Sequence, residues 1–210
     1  MSTLQFAPAE ARVIAALVEK SITTPQYYPM SVNAIMLAAN QKTCRAPVMN
    51  LTEGDVGSAL NRLEEMKLVS RDPMSGRVTK WRQSFMHQLL LKAQPQALLV
   101  TLMLRGPQTL LELRANATGL GGPADGEGMT AALNDLADRA QPLVVLLARA
   151  PGRKEARYAH TLCGEVTGEE AWQAPEPMAA APRSDAMAAL QQRVAVLEQK
   201  LADLEQRLGG

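Results

Sequence analysis

Residues 52–81 read TEGDVGSALNRLEEMKLVSRDPMSGRVTKW. Thr52 can cap a helix, and Asp55 stands three residues on, where a capping-box partner sits. Val56, Leu60, Leu63 and Met66 then recur at helical spacing and form one apolar stripe. The period changes at Leu68-Val69-Ser70, a short strand, and Val78-Thr79-Lys80-Trp81 is its return. Asp72-Pro73-Met74-Ser75-Gly76 between them supplies turn residues. A helix that runs into a two-stranded hairpin is the closing part of a winged-helix unit, so two further helices are expected before it.

Both are present. Pro8 suits a first helical turn, and Val13, Ile14, Leu17 and Val18 give the predicted helix from Pro8 to Lys20 an apolar side. Thr23-Thr24-Pro25-Gln26-Tyr27-Tyr28-Pro29 breaks it, because two prolines exclude a helix there. Ser31 to Asn40 reads as a second helix with Val32, Ile35, Met36 and Ala39 inward, and Gln41 to Leu51 as a loop containing Pro47.

The order then recurs. Leu98 to Leu104 lie in a fourth helix, and Gly106-Pro107 ends it. Thr109 and Glu112 form a second capping box ahead of Leu110, Leu113 and Ala117. Gly121-Gly122-Pro123 is a loop, and Met129, Leu133 and Leu136 mark another helix. Leu143 to Leu147 is a strand, Pro151-Gly152 a turn and Arg157 to Leu162 the return. Leu60/Leu136, Val69/Val145, Gly76/Gly152 and Arg77/Arg153 are each 76 residues apart, which supports an internal duplication. The expected fold class is mainly α with small β-hairpin wings (α+β). Tandem winged-helix domains would occupy residues 1–92 and 93–165, followed by a Pro- and Gly-bearing flexible linker at 166–184 and a coiled-coil helix at 185–208.

The tail carries the heptad. Met187, Val194, Leu201 and Leu208 take the a positions, and Leu190, Leu197 and Leu204 take d. The g residues Arg193 and Lys200 meet the e residues Glu198 and Glu205 only when two such helices run parallel; an antiparallel pair would set like charges together. A parallel homodimer through this helix is expected. Each exposed ion pair adds only about 0.3–0.5 kcal/mol, so apolar burial must supply most of the stability. An amphipathic helix folded back on its own domain is the competing reading.

Composition narrows the rest. Only 3% of the 210 residues are aromatic, so the cores must rest on Leu, Ala, Val and Met. The net charge of +1 is unevenly spread: +4 over residues 1–92, 0 over 93–165 and −3 over 166–210. No field strong enough to steer nucleic acid surrounds the whole chain. The two cysteines, Cys44 and Cys163, suggest reduced thiols rather than a disulfide framework. No apolar run approaches the ~18 residues of a membrane span, and Met1 to Glu10 lacks the pattern of a signal peptide. A cytoplasmic protein without a membrane partner is expected.

Several segments resemble the YceH-like family of bacterial proteins, for which no biochemical function is established. They are Thr23-Thr24-Pro25 with Tyr27-Tyr28-Pro29, Asn40-Gln41-Lys42 with Arg45 and Pro47-Val48-Met49, Arg105-Gly106-Pro107-Gln108-Thr109 with Glu112-Leu113-Arg114, and residues 151–160 from Pro151 to His160. The resemblance spans about residues 6–165. It implies a tandem winged-helix fold and supplies no substrate, ligand or catalytic residue.

No enzyme, cofactor or metal is expected. His87 and His160 lack a triad context, and His160 with Cys163 cannot close a zinc site. Gly121-Gly122 lacks the Lys-Ser/Thr of a phosphate loop. Nucleic acid is the default partner of a winged helix, through its third helix and its wing. Here the two candidate recognition helices, 52–67 and 125–140, are net acidic. Neither shows a cluster of base-reading side chains. The basic groups lie elsewhere. Lys42 and Arg45 are in the loop before the third helix, Arg62 is on that helix, and Arg71, Arg77, Lys80 and Arg82 are on the first wing. Arg149, Arg153, Lys154 and Arg157 are on the second. Backbone contacts from loops and wings would give salt-dependent DNA binding; alternatively, Lys80 and Arg82 are only the solvated face of a hairpin. The competing function is a protein-interaction scaffold of the chromosome-segregation type, in which winged helices bind other proteins.

Overall fold

Six consecutive apolar residues, Val13 to Val18, cannot all face one side of a helix, and helix α1 (Pro8–Thr23) is accordingly buried all round from Ala11 to Val18. The computed structural model describes residues 4–149 and 155–164, all of which fall in one compact unit. They form a mainly helical α+β fold with two small antiparallel sheets. Helix α1 packs on α2 (Val32–Ala39), α3 (Glu53–Glu65) and α5 (Ala93–Arg105). Helix α5 is itself buried from Pro95 to Leu104, so one apolar core runs without a break across residue 92. Helix α1 ends three residues beyond the expected Lys20. The residue before a proline is disfavoured in helical geometry, and Thr24, which precedes Pro25, is the residue that leaves it.

Strand β1 (Met30–Ser31) is too short to show a period and was not expected. It pairs with β3 (Lys80–Gln83), which also pairs with β2 (Val69–Arg71), giving the order β1-β3-β2. The return strand thus lies two residues later than Val78–Trp81. Its extent is set by partners on both sides, Ser31↔Lys80 and Val69↔Gln83 at the limits, and Val78, 61% exposed, has neither. A backbone N–H of Gln83 donates to the Tyr28 hydroxyl, which ties the Tyr-Pro segment to the sheet. Ser31 caps α2, accepting from Ala34 N.

Helix α3 opens as the spacing predicts. Thr52 Oγ1 accepts from Asp55 N at 3.2 Å, and Asp55 Oδ2 accepts from Thr52 N at 2.8 Å. Val56, Ala59, Leu60 and Leu63 are buried, and Met66 falls just past the end. On the opposite side a side chain added at Gly57 would meet nothing within 4 Å. Gly57→Ala is therefore expected to raise stability by about 0.5–1 kcal/mol, seen as a higher Tm. A drop in Tm would show that this side of α3 is covered.

A short helix, α4 (Phe85–Gln88), leads through buried Phe85 into α5. The second capping box is also formed, with Glu112 N donating to Thr109 Oγ1 at the start of α6 (Leu110–Ala117). Asp125 caps α7 (Gly126–Ala137) through Gly128 N at 2.7 Å. Strands β4 (Val144–Leu147) and β5 (Arg157–His160) pair in antiparallel, and Gln108 bridges to Tyr158 on β5's other edge. The 76-residue offset holds in the helices, where Leu60 and Leu136 are both fully buried. It flips in the strands: Val69 faces the core, but Val145 is 38% exposed and Val144 takes the inward place. A one-residue slip in a strand reverses every side chain. Gly152 and Arg153 lie outside the described residues.

His160 sits on β5 with Nδ1 buried and unpartnered among the described residues, and burial lowers its pKa to about 4. The unfolded chain, with an ordinary value near 6.5, takes up the proton first as pH falls. Stability is therefore expected to be full above about pH 6.5 and to fall by up to about 3 kcal/mol as pH drops towards 4. His160→Leu should remove that part of the acid sensitivity in urea titrations across this range; an unchanged pH profile would contradict it.

Candidate nucleic-acid interface

The candidate cations divide by what already holds them. Arg45 is buried. Its guanidinium pairs with Glu19 at 2.5 and 3.2 Å and donates to Ala38 O, Cys44 O and Gln41 Oε1. It has no capacity left for a phosphate, and its place in the sequence-derived set is corrected to a structural one. Arg12, which the sequence did not single out, is its neighbour: also buried, it donates to Ala39 O and Pro47 O. The two guanidiniums thus serve the last carbonyls of α2, at the negative end of that helix. Burial first, and then the charge of Arg45, lower the Arg12 pKa to about 10, against the opposing pull of Glu19; it stays charged at neutral pH. Asn40 closes the same loop through paired bonds with Leu51 N and O, and Ala46 N donates to Leu104 O. The loop from Gln41 to Asn50 is therefore a fixed platform, and Lys42 stands on it exposed.

On α3 the acidic side chains are mostly engaged. Asp55 is held by Thr52, which lowers its pKa. Glu65 pairs with Arg62 at 2.7 Å, and Glu64 with Arg71 at 3.2 Å. Arg71 comes from β2, lies 5.1 Å over the Trp81 ring and also reaches Asn61 Oδ1 at 3.4 Å. The hairpin is thus braced against the outer side of α3. On its own outer face, Arg82 donates to the buried Asp72 at 2.8 Å, which raises the Arg82 pKa. Arg77 and Lys80 are exposed. With Lys42 they make no ion pair or side-chain hydrogen bond among the described residues.

The model of a protein family described as "protein of unknown function, DUF480" matches residues 6–153, which include these elements. The chain belongs to the DUF480 family. A UPF0502 protein of Burkholderia cenocepacia J2315 is 48% identical over 162 residues, which are 77% of this chain and 68% of the relative. A UPF0502 protein of Burkholderia ambifaria MC40-6 is 47% identical over the same coverage, and one of Burkholderia pseudomallei 668 is 45% identical over 167 residues, 80% of this chain and 71% of the relative. The resemblance to an uncharacterised bacterial family is consistent with these matches.

In the second half of this DUF480 protein the cations are placed differently. Arg157 is largely enclosed, donating to Pro107 O at 2.8 Å and to Glu112 at 3.1 Å. It braces the α6 cap, and these bonds would compete with any phosphate contact. Arg149 is exposed, beside a shallow groove of about 510 Å³ whose walls include Leu110, Leu111, Met129, Leu146 and Tyr158. Arg153 and Lys154 lie outside the described residues, as do Met187, Leu190, Val194, Leu197, Leu201, Leu204 and Leu208. The linker at 166–184 and the tail at 185–208 lie outside them too. Among the described residues no group of three His, Cys, Asp or Glu could hold a metal ion, and no helix is long and apolar enough to cross a membrane.

Sequence inspection singled out Arg62 but missed its neighbours on the outward side of α3. Ser58 and Asn61 are exposed there with Arg62, beside Gly54. The signal was available as the complement of the apolar stripe: these positions fall at helical spacing opposite Val56, Leu60 and Leu63.

Proposed function

We propose that this is a non-catalytic, regulatory tandem winged-helix protein of the cytoplasm that grips duplex DNA mainly with its first half. The winged-helix reading is supported by a topology common to both halves. Three helices precede an antiparallel hairpin, and an upstream segment pairs with the hairpin's second strand, β1 with β3 and Gln108 with Tyr158 of β5. The observation that carries the DNA reading is the contrast in pairing. Among the described residues, three of the four acidic groups of α3, Asp55, Glu64 and Glu65, are engaged and Glu53 is not, while the side chains of Lys42, Arg77 and Lys80 around it make no ion pair or hydrogen bond. Unpaired, exposed cations can displace counterions from phosphates at no cost in internal contacts. The test is binding of full-length protein to a labelled mixed-sequence duplex at low salt. Binding is expected; its absence at the lowest salt would overturn the proposal.

A second reading, a protein-interaction scaffold, is favoured by the groove of the second half. Leu111 and Leu146 are 65% and 54% exposed there, next to Leu110. Contiguous apolar side chains at a surface mark contact sites for other proteins. Self-association through residues 185–208 belongs to either reading. Replacing Leu197 and Leu201 by Asp is expected to convert a dimer to a monomer in sedimentation velocity; a variant that still sediments as a dimer would place the interface elsewhere.

A further inference from the structure

The outward side of α3 is built for close approach. Gly54 and Gly57 project no side chain, and the space in front of Gly57 is open. Beside them stand Ser58, Asn61 and Arg62, all exposed. Helix backbone can come near a partner here, and the polar side chains at its surface are types that read base edges.

Asn61 is also held in place. Arg71 Nη2 donates to its Oδ1 at 3.4 Å, and Arg71 is itself fixed by Glu64 at 3.2 Å and by the Trp81 ring 5.1 Å away. A donor at Oδ1 uses one of that oxygen's two lone pairs and turns Nδ2 away from Arg71. The amide keeps one acceptor site and both N–H donors. An adenine in the major groove offers N6–H as donor and N7 as acceptor, the complement of such an amide.

We propose that α3 enters the major groove of duplex DNA and that Asn61 reads an adenine there, with Arg71 as the positioning residue. This rests on the DNA-binding reading above, and it adds sequence preference to a grip that Lys42, Arg77 and Lys80 alone would leave indifferent to sequence. Glu64 and Glu65 are each paired with an arginine, which lessens their repulsion of the duplex, while Glu53 and Asp55 at the start of the helix keep their charge.

The test is selection of duplexes with a randomised centre by the full-length protein, followed by sequencing. The expected result is an enriched site with an A·T pair at a fixed position, favoured by about 5- to 100-fold over other pairs. Asn61→Ala should abolish the preference at that position and leave any preference at other positions in place. Arg71→Ala should weaken the same preference, which a merely structural role in the hairpin would not touch. Lys80→Ala should weaken binding to all sequences without altering the preference. Binding with no enriched base, or an enrichment that Asn61→Ala leaves intact, would overturn the inference while the backbone grip stands. No binding to any duplex at low salt would overturn both.

Discussion

Arg45→Ala is expected to destabilise the protein by about 3 kcal/mol, the cost of leaving the half-buried Glu19 carboxylate and the Ala38 carbonyl without their guanidinium partner. Among the described residues Glu19, with a side chain 14% exposed, would keep Lys20 at 3.6 Å as its ion pair. Ala38 O would lose both of its guanidinium bonds at the end of α2. Against a typical total stability of about 5–15 kcal/mol, such a loss leaves much of the protein near its unfolding threshold. Arg45→Lys should recover only part of it, because a point-like ammonium cannot reproduce a fork shared among Glu19, Ala38, Cys44 and Gln41. Urea unfolding at neutral pH measures this. A cost below about 1 kcal/mol, the range of an exposed ion pair, would mean that the clamp beneath the 41–50 loop is not a stabilising element. Any loss of DNA binding in this variant would follow from unfolding of the platform under Lys42.

Reversing Lys42, Arg77 and Lys80 together to Glu is expected to act the other way: on binding and not on the fold. All three are exposed and make no ion pair among the described residues, so their combined effect on stability should stay within roughly 1 kcal/mol. Affinity for mixed-sequence duplex should fall by about 100-fold or more at low salt, since three attractive phosphate contacts become repulsive. Arg149→Glu in the second half, with one third of the charge change, is the control and should leave that affinity nearly unchanged. A logarithmic loss from the control one third that of the triple variant would mean that binding follows net charge and has no seat in the first half. The comparison is made by anisotropy of a labelled duplex, with the melting temperature of each variant taken alongside.

How far the residues announce this arrangement depends on how local the determining contacts are. Both capping boxes, Thr52 with Asp55 and Thr109 with Glu112, span three residues and could be read directly. So could the stripe of α3, whereas the residues of α1 read as one apolar side are part of a helix buried all round, because α2, α3 and α5 enclose it. Strand β1 could not, because two residues have no period and their pairing with Trp81 and Lys80 is fifty residues away in sequence. The fates of Arg45 and Arg157 were hidden for the same reason. Each is a cation in a basic-looking loop or strand, and only the fold brings Glu19 and Glu112 to them. The proposed base-reading strip was obscured by counting charge along α3 without asking which acids have partners. Arg71, which neutralises Glu64 and holds Asn61, comes from the next element of the chain.

The most direct measurement is the affinity of the full-length protein for one mixed-sequence duplex across a salt series, run beside a variant with Lys42, Arg77 and Lys80 all changed to Ala. Each phosphate contact contributes about −0.9 to the slope of log affinity against log salt. The wild-type slope is expected to be steeper than that of the variant by about 2.7. Parallel lines, or no binding by the wild type at the lowest salt, would contradict a DNA grip seated on these three side chains.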